Sequence, residues 1–223
     1  GDIDLLWECI NLDEDRGGAS NGDGGWHTDY LSVDKTKAYR YTIWVKKTGD
    51  ISDGRTYHGA GWNEVSTLAG TVHHNPYFFA NELPQADTWY LMVGYIHPSD
   101  YTGSDIGISG VYDMSGNKVL DGTEFKWNSD TVQSRFRNYL YYADNTTTRQ
   151  YFWSPLVQKI DGTEDSLDDI VNSTSVYNNQ EVAYKDIVTH VEYDELGRQA
   201  REYLPYAFGT GGSFQQTAKE NTQ

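Results

Sequence analysis

Lys37-Ala38-Tyr39-Arg40-Tyr41-Thr42-Ile43-Trp44-Val45-Lys46-Lys47 is the stretch on which the fold turns. Its residues alternate: Tyr39, Tyr41, Ile43 and Val45 fall on one side, Arg40, Thr42, Trp44 and Lys46 on the other. Successive side chains of a strand point to opposite faces of a sheet, so this is a strand with one apolar face and one carrying arginine, tryptophan and lysine. β-Branched and aromatic residues suit such a pleated, half-buried surface. The apolar face requires a second sheet to cover it.

The surrounding chain repeats the pattern. Ile3–Leu12, Trp89–His97, Arg135–Tyr142 and Gln150–Ile160 are further extended runs, and Gly110–Val119 reads as a hairpin with Gly116 in its turn. In Arg135–Tyr142, Phe136 and Leu140 oppose Arg135, Arg137, Tyr139 and Tyr141. The segments Asn75–Phe79 and Leu83-Pro84 are expected as loop around a short apolar plug, because proline cannot donate to a ladder. Glu164–Val171 offers at most one helical turn. The 22 glycines, 18 tyrosines and 7 tryptophans also belong to a turn-rich β protein. The expectation is all-β: a jelly-roll β-sandwich of two antiparallel sheets, followed by a C-terminal extended β-hairpin segment. Residues 1–165 would form the sandwich, 166–185 a linker and 186–223 the hairpin segment. The Gly-, Ser- and Gln-rich end reads as cut from a larger protein.

A formal charge of −16 argues against nucleic acid, whose phosphates demand a basic stripe. No apolar run approaches the roughly 18–20 residues of a spanning helix, so no membrane insertion is expected. Cys9 stands alone, can form no disulfide within the chain, and reads as a small buried hydrophobe. The loop Asp13–Gly25 is dense in oxygen donors and glycines: either an exposed acidic turn or a calcium loop with Asp13, Asp15 and Asp23 as ligands. His73-His74 is adjacent rather than spaced for metal. No nucleophile elbow, phosphate loop or zinc-protease motif is present, so the chain is expected not to be an enzyme.

Two ligand-binding clusters follow. If Lys37–Lys47 and Arg135–Tyr142 are neighbours, Arg40, Trp44, Arg135, Arg137, Tyr139 and Tyr141 share a face. There the rings would stack on sugar C–H surfaces while guanidinium groups meet hydroxyls or a carboxylate. Cross-strand Arg–Tyr and Arg–Trp pairs that merely stabilise a sheet are the competing reading. Tyr57, His58 and Trp62 form the second cluster.

Two resemblances add to this. Trp26, the strand Val33–Lys46, Trp89–Val93 and Phe152–Ile160 are similar to the jelly-roll carbohydrate-binding modules. That resemblance implies sugar bound on a concave face or edge loops and a structural calcium near the first strand. Val188-Thr189-His190-Val191-Glu192-Tyr193-Asp194-Glu195-Leu196-Gly197-Arg198-Gln199 with Glu202–Tyr206 resembles the first repeat of the bacterial RHS, or YD-repeat, proteins. It implies a large secreted or cell-surface polypeptide whose repeats wind into a β shell, the remainder of which would be a partner of this segment. Together they lead to a glycan-binding or adhesion module whose partner is a polysaccharide or cell-surface glycan. The alternatives are a structural cap that contacts protein, and a polysaccharide-cleaving enzyme.

Overall fold

A computed structural model of the chain describes residues 6–10, 22–172, 186–193, 199–208 and 218–220. In chain order the first strands are β1 (Leu6–Ile10), β2 (Gly22–His27), β3 (Leu31–Ser32), β4 (Ala38–Thr48), β5 (Arg55–Ala60), β6 (Val65–Thr67), β7 (Val72–His73), β8 (Tyr77–Asn81) and β9 (Trp89–His97). Then come β10 (Gly110–Tyr112), β11 (Lys118–Asp121), β12 (Phe125–Trp127), β13 (Gln133–Ser134), β14 (Phe136–Tyr141) and β15 (Arg149–Ile160). A short helix, α1, at 167–172 precedes β16 (Asp186–Tyr193), β17 (Gln199–Phe208) and β18 (Ala218–Glu220). The chain divides into two compact units, Gly1–Val171 and Asn172–Gln223.

Eight strands of the first unit build two facing sheets. The larger runs β1-β15-β4-β9 and continues through β12, β6 and β7, with the β10–β11 hairpin also on β9; the smaller runs β2-β14-β5-β8. Numbered among those eight, the order is 1-8-3-6 against 2-7-4-5, the jelly-roll order in which the chain keeps crossing from sheet to sheet. Neighbours are antiparallel except β9 and β12. The alternation of Lys37–Lys47 holds: Tyr41, Ile43 and Val45 of β4 enter one core with Met92, Phe152, Phe78, Phe136 and Leu140. Tyr41 meets Phe136 edge-on at 5.4 Å, tying the sheets together. Burying each such side chain contributes about 1.5–3 kcal/mol.

The interior also holds polar groups, several of them tied to strand or turn. Lys47, fully buried, donates to the carbonyls of Ile51 (2.9 Å) and Gly54 (2.6 Å) and so pins the β4–β5 turn. Burial pushes its ammonium down to about 8. Thr56 donates to Gln150 (2.5 Å), whose amide reaches the Tyr139 carbonyl (3.1 Å). Without such partners, buried polar atoms would oppose folding.

The other face of β4 is not open. Trp44, Leu91 and Val93 form a second apolar cluster with Trp89, Trp153 and Tyr112, closed by Leu167, Ile170 and Val171. The helix that supplies them starts at a capping box: the Asp169 amide donates to Ser166 Oγ (3.0 Å) while the Ser166 amide donates to Asp169 Oδ2 (3.1 Å). Residues 166–171 therefore belong to the sandwich unit rather than to a linker starting at 166. A second correction concerns Asn75–Phe79. Tyr77–Asn81 is an edge strand, with Pro76 just before it where no ladder donor is needed, and Phe78, Phe79 and Leu83 are core.

In the second unit β16 and β17 pair antiparallel from Asp186↔Phe208 to Tyr193↔Gln199, and β18 pairs with β17. The Glu195-Leu196-Gly197-Arg198 turn expected between them lies outside the described residues, as do Asp13, Asp15 and the side chains of Cys9 and Asp23.

Candidate functional site

The outer face of the smaller sheet collects the aromatic residues that the core does not use. Along β14, Phe136, Asn138 and Leu140 point inward, which turns Arg137, Tyr139 and Tyr141 outward. Opposite them on β5, Tyr57 and Gly59 take the same face, because the register pairs Tyr139 with Tyr57 and Arg137 with Gly59. Tyr77 opens β8 beside Gly59. The ring of Tyr57 lies 4.8 Å from that of Tyr77, 4.9 Å from Tyr141 and 6.3 Å from Tyr142, and Tyr139 is 5.3 Å from Tyr141. Trp62 (41% exposed) and Tyr142 (39% exposed) stand at the two ends.

Two glycines let the Tyr77 and Tyr139 rings approach the sheet closely. A Cβ at Gly59 would come within 2.4 Å of the Pro76 carbonyl and 2.6 Å of the Tyr77 ring. One at Gly25 would meet the Tyr139 ring at 2.5 Å, on a backbone whose φ of +142° already disfavours a side chain.

Arg137 braces this face from within. It is fully buried; Nε donates to the Ala60 carbonyl, Nη1 to Asn75 Oδ1 (2.9 Å) and Nη2 to the Pro76 carbonyl (3.0 Å). Its guanidinium carbon sits 4.4 Å from the Trp62 ring and 4.7 Å from Tyr77, a cation held between two π faces. Burial lowers its pKa, and the neighbouring Tyr77, Tyr139, Tyr141 and Glu64 oppose that shift. Burial in turn pushes the Tyr77 phenol up to about 12 although Arg137 pulls it down, and raises Tyr57 and Tyr139 as well. The phenols are thus neutral hydrogen-bonding groups at ordinary pH.

Arg135 occupies the Trp62 end. Its guanidinium carbon is 4.0 Å from the exposed Tyr30 ring and 5.7 Å from Trp62, and Nη1 is 3.3 Å from His27 Nδ1.

The sequence-predicted residues are thereby sorted. Tyr57, Trp62, Arg135, Tyr139 and Tyr141 come together on one face, with Arg137 buried as its support. Arg40 and Trp44 do not join them, because β4 and β14 lie in different sheets. Trp44 is 1% exposed beneath α1, and Arg40 donates to Gln158 (2.6 Å) and the Asp165 carbonyl. His58 is also lost from the surface. It packs inward against Phe78 and Phe136, pairs with Asn138 (2.9 Å), and burial takes its imidazole down to about 4, so it is neutral. Tyr77, Tyr142, Tyr30 and His27 were missed. Tyr77 carried an ambiguous signal, since a proline directly before an aromatic run fits the start of an edge strand as well as a loop.

A second acid–base grouping serves the loop instead. Glu124 (2% exposed) accepts from His97 Nε2 (2.7 Å) and from the amides of Ile106 (3.0 Å), Ile108 (2.6 Å) and Ser109 (3.4 Å). His97 stacks on Tyr101 at 3.8 Å. Among the described residues, no group of three or more His, Cys, Asp or Glu is arranged to hold a metal.

A family model described as a domain of unknown function, DUF6443, matches residues 137–223, from within β14 to the end of the chain. No curated protein matches. One similar solved structure concerns the cell entry of botulinum neurotoxin type C and its interaction with two ganglioside molecules; identity is 12%, over 89% of this chain and 50% of that one, with a TM-score of 0.34. Another is the binding domain of botulinum neurotoxin serotype D/C, at 10% identity, 89% and 51% coverage and a TM-score of 0.32. A third is the serotype G binding domain, at 9% identity, 96% and 64% coverage and a TM-score of 0.32. The chain spans about half the length of the first two. At this level of similarity their ligands say nothing of this chain.

Proposed function

We propose that the sandwich is a non-catalytic glycan-binding module whose ligand lies across the outer face of the smaller sheet, on Trp62, Tyr77, Tyr57, Tyr141 and Tyr142. The observation that carries this is the cluster of partly exposed rings, Tyr77, Tyr141 and Tyr142 packed edge to face around Tyr57, with Trp62 beyond the Arg137 guanidinium, while the core is complete without them. Contiguous apolar surface on a folded module marks an interaction site. Exposed ring faces alternating with phenol hydroxyls match a sugar, which offers a C–H face to a ring and hydroxyls at its rim. Calcium on the Asp13–Asp23 loop remains part of the proposal as a brace for the first strands.

The C-terminal strands are proposed as the opening of a YD-repeat shell in a larger secreted or surface polypeptide. The DUF6443 match runs without a break from β14 through this segment, which favours a second reading in which the sandwich caps that shell.

Affinity electrophoresis in polysaccharide gels decides between them. Trp62→Ala and Tyr57→Ala are each expected to weaken retardation about tenfold (~1.4 kcal/mol), with a modest loss of stability of about 1 kcal/mol from the cation–π and ring contacts they give up. Retardation untouched by both substitutions would remove this face from the account.

A further inference from the structure

Resting on the glycan reading above, we propose that the Trp62 end of the face is a subsite for an acidic sugar, in which Arg135 receives the carboxylate or sulfate. On a chain of net charge −16 this end is a cationic island. Arg137 places a fully buried positive charge here, and all of its hydrogen-bond acceptors are neutral: two backbone carbonyls and an amide. Arg135 adds a second charge, and the Trp62 ring lies beside both guanidinium groups, at 4.4 and 5.7 Å. Among the described residues neither arginine has an ion-pair partner. Glu64 is an acid that both arginines act on, folded against Gly61. Burial raises its pKa, while Ser134, Arg135 and Arg137 pull the other way. It offsets part of the charge without engaging either guanidinium.

The hydrogen bonding of Arg135 is also incomplete. Its Nε is buried from solvent and has no hydrogen-bond partner. Its Nη1 faces His27 Nδ1 at 3.3 Å, yet that nitrogen also lies 3.0 Å from the Thr28 carbonyl. One ring nitrogen cannot both donate to Thr28 and accept from Arg135. When it carries the proton toward Thr28, Nη1 is left free. An orphaned donor is costly, and a guanidinium fork pairs with a carboxylate or sulfate through two parallel N–H···O bonds. Tyr30, 47% exposed and stacked 4.0 Å over the guanidinium carbon, orients the fork and leaves its edge to the ligand. A sugar ring on Trp62 would place an acidic substituent at that edge. A neutral sugar would leave the donors as they are.

The test uses an array on which sialylated, uronic-acid and sulfated glycans are each printed beside the uncharged parent, probed with the full chain and with Arg135→Gln. The expected result is binding to charged members at least tenfold above their parents, falling with added salt, with the preference abolished in Arg135→Gln but residual neutral binding kept. The sialylated and uronic arms against the sulfated arm show which oxyanion the fork takes. Equal binding of charged and uncharged members overturns the acidic subsite and leaves the aromatic face standing. So does a preference that survives Arg135→Gln. Binding to no glycan overturns both. Unfolding curves of the variant, expected to overlay the wild type because Arg135 is partly exposed, separate lost recognition from lost folding.

Discussion

Arg137→Ala is expected to lower the unfolding free energy by about 3–5 kcal/mol, one of the two largest single-residue effects anticipated here. The side chain is fully buried and is the donor to the Ala60 and Pro76 carbonyls and to Asn75 Oδ1. An acceptor left unpaired in the interior costs roughly 1–3 kcal/mol; the Ala60 carbonyl loses its arginine donor, whereas the Pro76 carbonyl keeps the Ala60 amide (3.3 Å) and the exposed Asn75 can turn to water. Water entering the vacated space repays only part, and the contacts with Trp62 and Tyr77 disappear together. Arg137→Lys should recover less than half of the loss, since an ammonium cannot reproduce a planar fork aimed at three acceptors. Urea unfolding measures both. A loss below about 1 kcal/mol for the alanine variant would mean that Arg137 does not brace the face.

The second large effect is expected at Glu124, whose carboxylate ties His97 to the amides of Ile106, Ile108 and Ser109. Glu124→Ala strips a buried cluster of donors of its common acceptor, and a cost of about 3–5 kcal/mol is expected, as for other broken buried pairs. The loop around 98–109 should then exchange its amide hydrogens much faster. Burial draws this carboxyl upward, but the His97 bond and the three amides outweigh it, so its pKa falls below the ordinary value of 4.5. A carboxyl depressed on folding adds stability that is fully present above its unfolded pKa and is lost as pH falls through the folded one. Wild-type stability should therefore drop on acidification below about 4.5, and Glu124→Gln should start lower and fall less steeply. Parallel curves for the two proteins would contradict the assignment.

The faces of the strands were legible in the sequence; their neighbours were not. The alternation in Lys37–Lys47 and Arg135–Tyr142 assigned each side chain to its face of the sheet, because side-chain direction along a strand is local, but both faces of β4 are buried. It could not show that these strands belong to different sheets. That depends on pairings such as Tyr139 with Tyr57 and Trp153 with Trp44, which join residues far apart in the chain. Nor could β4 alone show that Trp44 is roofed. The clue lay in Ser166 and Asp169, three apart, flanking Leu167 and Ile170, a capped amphipathic turn too short to stand out by periodicity. His58 is the instructive error. Adjacent strand residues face opposite ways, so Tyr57 on the outer face obliges His58 to enter the core. Tyr77 was hidden by its proline, which read as loop although the start of an edge strand satisfies it equally well.

The face itself can be tested by titrating the array's best-bound glycan into isotopically labelled protein and following the aromatic and indole resonances. Shifts in Trp62, Tyr77, Tyr57, Tyr141 and Tyr142, with Trp44 and His58 unmoved, are the predicted outcome. Shifts clustered on Trp44 and α1, or confined to the cleft around Asn128 and Asp130, would contradict it.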